Sequence, residues 1–314
     1  MKRMLCFAFC IWLTACAAPT PATPSASKPV IPTHTAPAPA PLFANSPILK
    51  AEITNTPFPT ATPQSQIPTF SSLTLDPADW KNWPILPVVD PSLRDVYEYG
   101  QSLGNNPHAF SIFGDCQTRP AEFFGVFDTD ALLVQRLSPE LREAVEYFKG
   151  SFNRESPTVQ DGTTPGALLW TQWHRGEFGC TFAETPVQCE LRIHRPSFVI
   201  IQVGTHFESR NTEYLRKIIN QLLDAGVIPI LATKADNREK DERINRDMAL
   251  LAAEYDLPLW NFWAAVSDLP NRGLYTRPDR PLQGDIYLTE EAAQRHRMTG
   301  LAALNAVWRA VTGQ

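Results

Sequence analysis

The larger, carboxyl-terminal part of the chain alternates short apolar runs with amphipathic segments. Apolar runs rich in β-branched and aromatic residues predict strands over 109–113, 197–203, 227–233 and 257–262. The run over 197–203 is apolar at consecutive positions, which indicates a strand buried on both faces. Apolar residues at helical spacing predict helices over 211–225, 239–255 and 289–311. Strands that alternate with helices predict an α/β fold, a three-layer αβα sandwich with a central parallel sheet.

The amino-terminal pattern is that of an export signal. Lys2 and Arg3 precede an apolar run over 4–13, which is far shorter than the roughly 20 residues needed to span a bilayer. Leu13-Thr14-Ala15-Cys16 resembles a bacterial lipobox, which implies that Cys16 becomes the lipidated first residue of the mature chain. The alternative is an ordinary secretory signal with an incidental cysteine. We therefore predict a signal peptide over 1–15 and a lipid on Cys16.

The segment that follows Cys16 has the composition of a disordered stalk. Residues 17–75 hold 13 of the 29 prolines but only three charged residues, so they bury too little apolar surface to fold. We predict a lipidated stalk over 16–75 and a folded domain over 76–314. A lipid anchors a protein to a leaflet without spanning it. The predicted location is extracytoplasmic, on the cell membrane or the outer membrane, with the membrane as a partner through the lipid.

Charge and cysteine usage narrow the class of protein further. The net charge is −5 and no Lys/Arg cluster occurs, which argues against a nucleic-acid partner. Cys180 and Cys189 flank a short loop in an exported domain and are expected to form a disulfide, which leaves Cys116 unpaired. No cofactor is expected, and we expect a monomer. Three histidines lack the spacing of metal ligands and are interpreted as surface or loop residues: His174, His194 and His296.

Polar residues follow the predicted strands where such sheets bind ligands, at the carboxyl ends. Gly114-Asp115-Cys116 comes after the first strand, and Gly204-Thr205-His206 comes after the second. A third block, Gly284-Asp285-Ile286-Tyr287-Leu288-Thr289, precedes the last helix. We expect these blocks to meet at one edge of the sheet.

In order and spacing these blocks, together with Gly162-Thr163-Thr164, resemble the four sequence blocks of the SGNH (GDSL-type) hydrolases. The resemblance covers about 109–311 and implies a flavodoxin-like three-layer fold and an ester hydrolase acting on acylated glycans or lipids. It also implies that the Gly162 N–H helps to bind an oxyanion. Gly114, Asp115 and Gly204 would shape the site, with Asp115 accepting backbone hydrogen bonds at the turn.

The catalytic positions of the family are replaced in this chain. Cys116 stands in place of the serine, His206 in place of the asparagine, Tyr287 in place of the histidine and Gly284 in place of the aspartate. A neutral phenol is a poor base at neutral pH, so Tyr287 can at best donate a hydrogen bond or position a ligand. The serine mechanism cannot operate with these residues. Activity is therefore absent or based on cysteine.

Alternatives remain open for Cys116. Cys116 and His206 could form a thiol–imidazole pair, with the thiolate favoured by a helix beginning just after Cys116. The plainer interpretation makes Cys116 a small buried residue and His206 a hydrogen-bonding substitute for asparagine, and a third makes this edge another kind of ligand site. Asp279 or Asp285 could replace the missing acid, although neither lies at the spacing of the family.

Three functions are consistent with these features: an extracellular ester hydrolase, a non-catalytic relative that binds a glycan or other ligand, and a docking lipoprotein with an incidental cleft. Aromatic residues near the end of the fourth strand are interpreted as core in preference to a sugar-stacking platform: Trp260, Phe262 and Trp263. The segment over 76–106 is expected to pack on the domain, because Trp80 and Trp83 are costly to leave in water.

Overall fold

The fold is taken from a computed structural model, which describes residues 75–314. The predicted signal peptide, the lipid on Cys16 and the stalk lie outside the described residues and stay predictions. Within 75–314, no helix combines the length and the apolar character needed to cross a bilayer.

The strands are β1 Asn106–Gly114, β2 Pro196–Gln202, β3 Ile228–Ala232, β4 Leu259–Trp260, β5 Leu274–Tyr275 and β6 Tyr287–Leu288. The α-helices are α1 Leu93–Ser102, α2 Val126–Thr129, α3 Ala131–Gln135, α4 Pro139–Tyr147, α5 Pro165–Leu168, α6 Pro186–Ile193, α7 Asn211–Asp224, α8 Arg243–Glu254, α9 Phe262–Ala265 and α10 Glu290–Thr312. Short 3-10 helices span Pro77–Asn82, Cys116–Thr118, Pro270–Gly273 and Pro281–Gln283.

The central sheet is parallel, with the strand order β1-β2-β3-β4. On the outer side of β1, Val159 forms an isolated parallel bridge with Gly114. When this remnant is counted as the second strand in the chain, the order becomes 2-1-3-4-5, which is that of flavodoxin-like sheets. The strands β5 and β6 form a separate antiparallel pair.

Helices cover both faces of the sheet. On one face α1, α4 and α10 pack together over an aromatic cluster in which Phe198 of β2 contacts Tyr97 and Phe148. Side chains alternate along a strand, so Val199 and Ile201 point to the other face, where α7 and α8 pack on β3. Every residue of β2 is buried, as the consecutive apolar pattern predicted. The predicted three-layer αβα sandwich is confirmed.

Two helix starts differ from the prediction. The helix expected over 239–255 begins only at Arg243, because Lys240 and Glu242 have left-handed backbone angles of φ 75° and 54°. The helix expected just after Cys116 is absent: Cys116–Thr118 is one 3-10 turn, and the next α-helix, α2, starts at Val126. The dipole that was expected to favour a thiolate at Cys116 is therefore missing.

The segment that leads into α1 packs on the domain, as predicted. Trp80 and Trp83 are buried, and the 3-10 helix Pro77–Asn82 lies against α8 and α9. The Asn261 side chain donates to the carbonyl oxygens of Trp80 and Trp83 at 2.8 and 3.2 Å. The Asn261 N–H donates to the Ile85 carbonyl at 3.0 Å, so the segment covers the open edge of β4.

The predicted disulfide is present, with the Cα atoms of Cys180 and Cys189 5.3 Å apart. The interpretation of the histidines as surface or loop residues is wrong for His296, which is fully buried in α10. Its ring lies against Phe123 and Trp260, and its Nε2 is 2.6 Å from Gln202 Oε1. The partner on β2 satisfies Nε2 alone, since Nδ1 is buried without a hydrogen-bond partner among the described residues.

The other two histidines are loop or helix-end residues with internal partners. His174 lies in a loop but is buried, and its ring bonds to the Glu184 carbonyl and the Gly176 N–H. His194 ends α6 and lies within hydrogen-bond distance of Ser151. The interpretation of the fourth-strand aromatic residues as core is confirmed for Trp260 and Phe262, which are both fully buried.

Candidate functional site

The strands β1, β2 and β3 end at one edge of the sheet and bring the sequence blocks together there. Asp115 Oδ2 accepts the Thr205 N–H at 3.1 Å, which joins the block after β1 to the block after β2. The Gln117 side chain donates to the Ile286 carbonyl, which joins the first block to the last. The expected meeting of the blocks at one edge is therefore observed.

Asp115 is the buried centre of this edge. Besides the Thr205 N–H, it accepts the Gln117 N–H at 3.3 Å, so it holds the turn as expected. Burial and the nearby carboxylate of Asp236 raise its pKa from 3.8 to about 7, against the effect of both N–H groups and of Lys234. Asp115 thus changes its charge near neutral pH.

Cys116 is unpaired and only 8% exposed. Its Sγ lies 4.0 Å from Asp115 Oδ1, and no hydrogen bond joins it to His206 within the described residues. Burial, followed by the charges of Asp115, Asp161 and Asp236, raises the pKa of the thiol well above its ordinary value. The thiol is therefore un-ionised at neutral pH.

His206 is half-buried at the same edge. Burial and the charge of Arg238 lower the pKa of its imidazole, against smaller opposing effects of Asp236 and Asp161. Since the same two carboxylates act on Cys116, both residues share one polar neighbourhood. A neutral imidazole in that neighbourhood can accept a proton.

The Tyr287 hydroxyl is engaged by residues of its own hairpin. It donates to Gln283 Oε1 and accepts from Arg280 Nη1, which lies 3.1 Å away. The Arg277 guanidinium lies over its ring, 5.0 Å from the ring centroid. These contacts suit a positioning group and give the phenol no role as a base.

Neither candidate for a replacement acid is aimed at Cys116 or His206. Asp285 accepts from Asn271 Nδ2 at 3.1 Å and from Thr276 Oγ1 at 2.5 Å. Asp279 forms ion pairs with Arg277 and is mostly exposed. Both carboxylates are thus bonded within the segment that precedes β6.

Some backbone donors at the edge have no acceptor in another residue. The N–H groups of Cys116 and Gly162 are among them within residues 75–314. Gly162 has φ +84°, a conformation that favours glycine, and the Trp173 ring lies beside it. An oxyanion or a polar ligand atom could accept from these donors.

Residues after β3 form a buried ionic cluster that sequence reasoning missed. The Lys234 ammonium bonds to Asp236 Oδ1 at 2.8 Å and to Glu239 Oε2 at 2.6 Å, and all three side chains are at most 3% exposed. Asp236 Oδ2 accepts from the Thr205 hydroxyl at 2.8 Å, which connects the cluster to the block after β2. The position of Lys234 in the sequence could have indicated a site, because Lys234 comes directly after the carboxyl end of the strand predicted over 227–233.

A cleft of about 720 Å³ lies beside this edge. It is lined by the loop after β3, which holds Arg238 and Lys240, by the turn at Arg272, and by residues 281–285. Arg238 Nη1 donates to the Thr205 carbonyl at 3.0 Å, so the cleft adjoins the block that holds His206. Within the described residues, no group of three or more His, Cys, Asp or Glu side chains is arranged to hold a metal ion.

No protein-family model matches this chain. No curated protein matches it either. Among solved structures it is similar to a GDSL-like lipase from Bacteroides thetaiotaomicron VPI-5482, with 14% sequence identity and a TM-score of 0.39, over 70% of this chain and 98% of that one.

Proposed function

We propose that this chain is a membrane-anchored extracytoplasmic lipoprotein whose domain is a relative of the SGNH (GDSL-type) hydrolases that binds a ligand and no longer hydrolyses esters. The sequence blocks and the 2-1-3-4-5 arrangement of the parallel sheet support the relationship. The lipobox and the Pro-rich segment support the anchor.

The environment of Cys116 is the observation that supports the loss of hydrolysis. A nucleophile needs a base within hydrogen-bond reach or a lowered pKa. Cys116 is buried beside Asp115, burial and nearby carboxylates hold its thiol un-ionised, and no imidazole bonds to it within 75–314. The phenol at the histidine position is bonded elsewhere. These partners support a site that holds a ligand without generating a thiolate nucleophile.

A short-chain ester assay tests the loss of hydrolysis. The full chain is compared with a Cys116→Ala variant, using 4-nitrophenyl acetate near pH 7. We expect equal rates, because the thiol contributes no thiolate. Turnover that exceeds the Cys116→Ala rate and saturates with substrate would overturn the proposal.

The second candidate is a hydrolase that uses Cys116 with His206 as the base. The neutral state of His206 and the unpartnered N–H groups of Cys116 and Gly162 favour it, since they would serve as base and oxyanion donors. This candidate requires His206→Ala to remove the turnover that Cys116→Ala removes. Equal rates for both variants and the unchanged protein would exclude it.

The anchor is tested separately. In a bacterial host, Cys16→Ser should abolish incorporation of labelled palmitate and transfer the protein from the detergent phase to the aqueous phase. A control substitution in the same segment, Cys10→Ser, should leave both unchanged. Palmitate incorporation that persists in Cys16→Ser would refute lipidation at this residue.

A further inference from the structure

The cleft beside the candidate site is lined by cations that form no salt bridge within the described residues. Arg238, Lys240 and Arg272 all line it, and none forms a salt bridge within residues 75–314. Nearby arginines do pair: Arg243 with Asp241, and Arg277 with Asp279. In a chain of net charge −5, this concentration of free positive charge is a local exception.

The guanidinium groups are held in place by the backbone. Arg238 Nη1 donates to the Thr205 carbonyl at 3.0 Å, and Arg272 Nε donates to the Ala235 carbonyl at 2.7 Å. Each group keeps further N–H donors for a ligand, in a fork that matches a carboxylate. The two guanidinium groups are thus positioned before any ligand arrives, which lowers the entropy lost on binding.

The lining carries three cations against one carboxylate, Asp285. Both oxygens of Asp285 already accept hydrogen bonds, from Asn271 and Thr276. A cleft with this balance favours an anion.

The remaining lining residues indicate what kind of anion fits. Asn237 and Gln283 can donate from their amide NH2 groups to hydroxyls, since only their amide oxygens are engaged within the described residues. Apolar side chains are few, and one of them, Leu282, is 99% exposed. A lipid tail needs an apolar lining, so a lipid does not suit the cleft. A volume of about 720 Å³ exceeds what a lone small anion requires. We infer that this cleft, the cationic cleft, binds an oligosaccharide that bears carboxylate groups.

The inference rests on the proposed ligand-binding function and adds the class of ligand. Its test is calorimetric titration of the full chain with trigalacturonate, a neutral galactose trisaccharide, and citrate. We expect trigalacturonate to bind about tenfold more tightly than either of the others, and to weaken as salt rises. Equal affinity for the neutral trisaccharide would overturn the inference, and equal affinity for citrate would overturn the assignment to a saccharide.

Substitutions locate the binding. Arg238→Gln and Arg272→Gln should each weaken trigalacturonate binding about tenfold, because each removes charged hydrogen bonds. Lys240→Gln should weaken it about threefold, and since this side chain makes no hydrogen bond within 75–314, the variant tests the cleft without disturbing the fold. Lys149→Gln, an exposed substitution outside the cleft, is the matched control. Unchanged affinity in all three cleft variants would overturn the inference.

The two proposals fail in different ways. Ester turnover that depends on Cys116, together with trigalacturonate binding that depends on Lys240, would refute the loss of hydrolysis and support the cationic cleft. Absence of both turnover and binding would refute the cationic cleft and support the loss of hydrolysis.

Discussion

Replacing Asp115 by Asn should change how the stability of the domain depends on pH. The Asp115 carboxyl is fully enclosed between the ends of β1 and β2, and its pKa rises from 3.8 to about 7 through burial and the charge of Asp236. A folded-state pKa above the unfolded value means that the folded protein binds the proton more tightly. The stabilisation of the folded state by this proton is therefore fully present below about pH 4, and it is lost as the pH rises through about 7.

The size of the effect follows from the two pKa values. The difference between 3.8 and about 7 corresponds to about 4 kcal/mol, of which about 3 kcal/mol falls between about pH 5 and pH 8. Asp115→Asn removes the titration and also weakens one of the two backbone hydrogen bonds, at a cost of about 1 kcal/mol that does not vary with pH.

The assay is urea unfolding followed by tryptophan fluorescence at several pH values between about 5 and 8. We expect the free energy of unfolding of Asp115→Asn, relative to the unchanged protein, to rise by about 3 kcal/mol across that range. Asp224→Asn, at an exposed helix end, is the matched control. A difference that stays constant within about 0.5 kcal/mol would refute the assigned pKa and its cause.

Three further predictions concern stability, each measured by the same unfolding assay. Asn261→Ala should lower the free energy of unfolding by about 2–4 kcal/mol, because two buried carbonyls lose their donor. The control Asn82→Ala, on the exposed side of the same segment, should lower it by less than about 0.5 kcal/mol. Equal losses in the two variants would contradict the role of Asn261. Lys234→Met should lower the free energy of unfolding by about 3–5 kcal/mol, because it leaves two buried carboxylates without their cation. The control Lys217→Met, on the surface, should lower it by less than about 0.5 kcal/mol. An unchanged free energy of unfolding in Lys234→Met would show that the buried cluster is not stabilising. Reducing the disulfide, whose cysteines are nine residues apart, should lower the free energy of unfolding by about 2–3 kcal/mol. An unchanged midpoint of urea unfolding would show that the loop is already constrained without the disulfide.

The layers of the fold could be predicted because they depend on local patterns. The consecutive apolar run that became β2 and the helical spacing that became α7 both follow from burial on a sheet. The start of α8 could not be predicted in this way. Asn237 accepts the Glu242 N–H, and the intervening loop adopts left-handed angles that no hydrophobic period encodes.

The site shows the same division. The sequence blocks predicted where Cys116 and His206 lie, because parallel strands end at one edge. They did not predict the partners that decide the chemistry. Asp236 reaches this edge from the loop after β3, and Arg280 reaches Tyr287 through the conformation of another loop. The prediction that His296 lies on the surface or in a loop was wrong for a related reason, because its partner Gln202 is 94 residues away in sequence.

The segment that covers the edge of β4 also determines how the domain responds to mechanical force. A pull on the amino-terminal end of the described chain would load the contacts of Trp80, Trp83 and Asn261 before it loads the sheet. If these contacts gave way before the core, the freed edge of β4 would offer unpaired backbone groups to a neighbouring molecule. Tension on this end of the chain would then promote self-association, and the hydrogen bonds of Asn261 would set the force at which it begins.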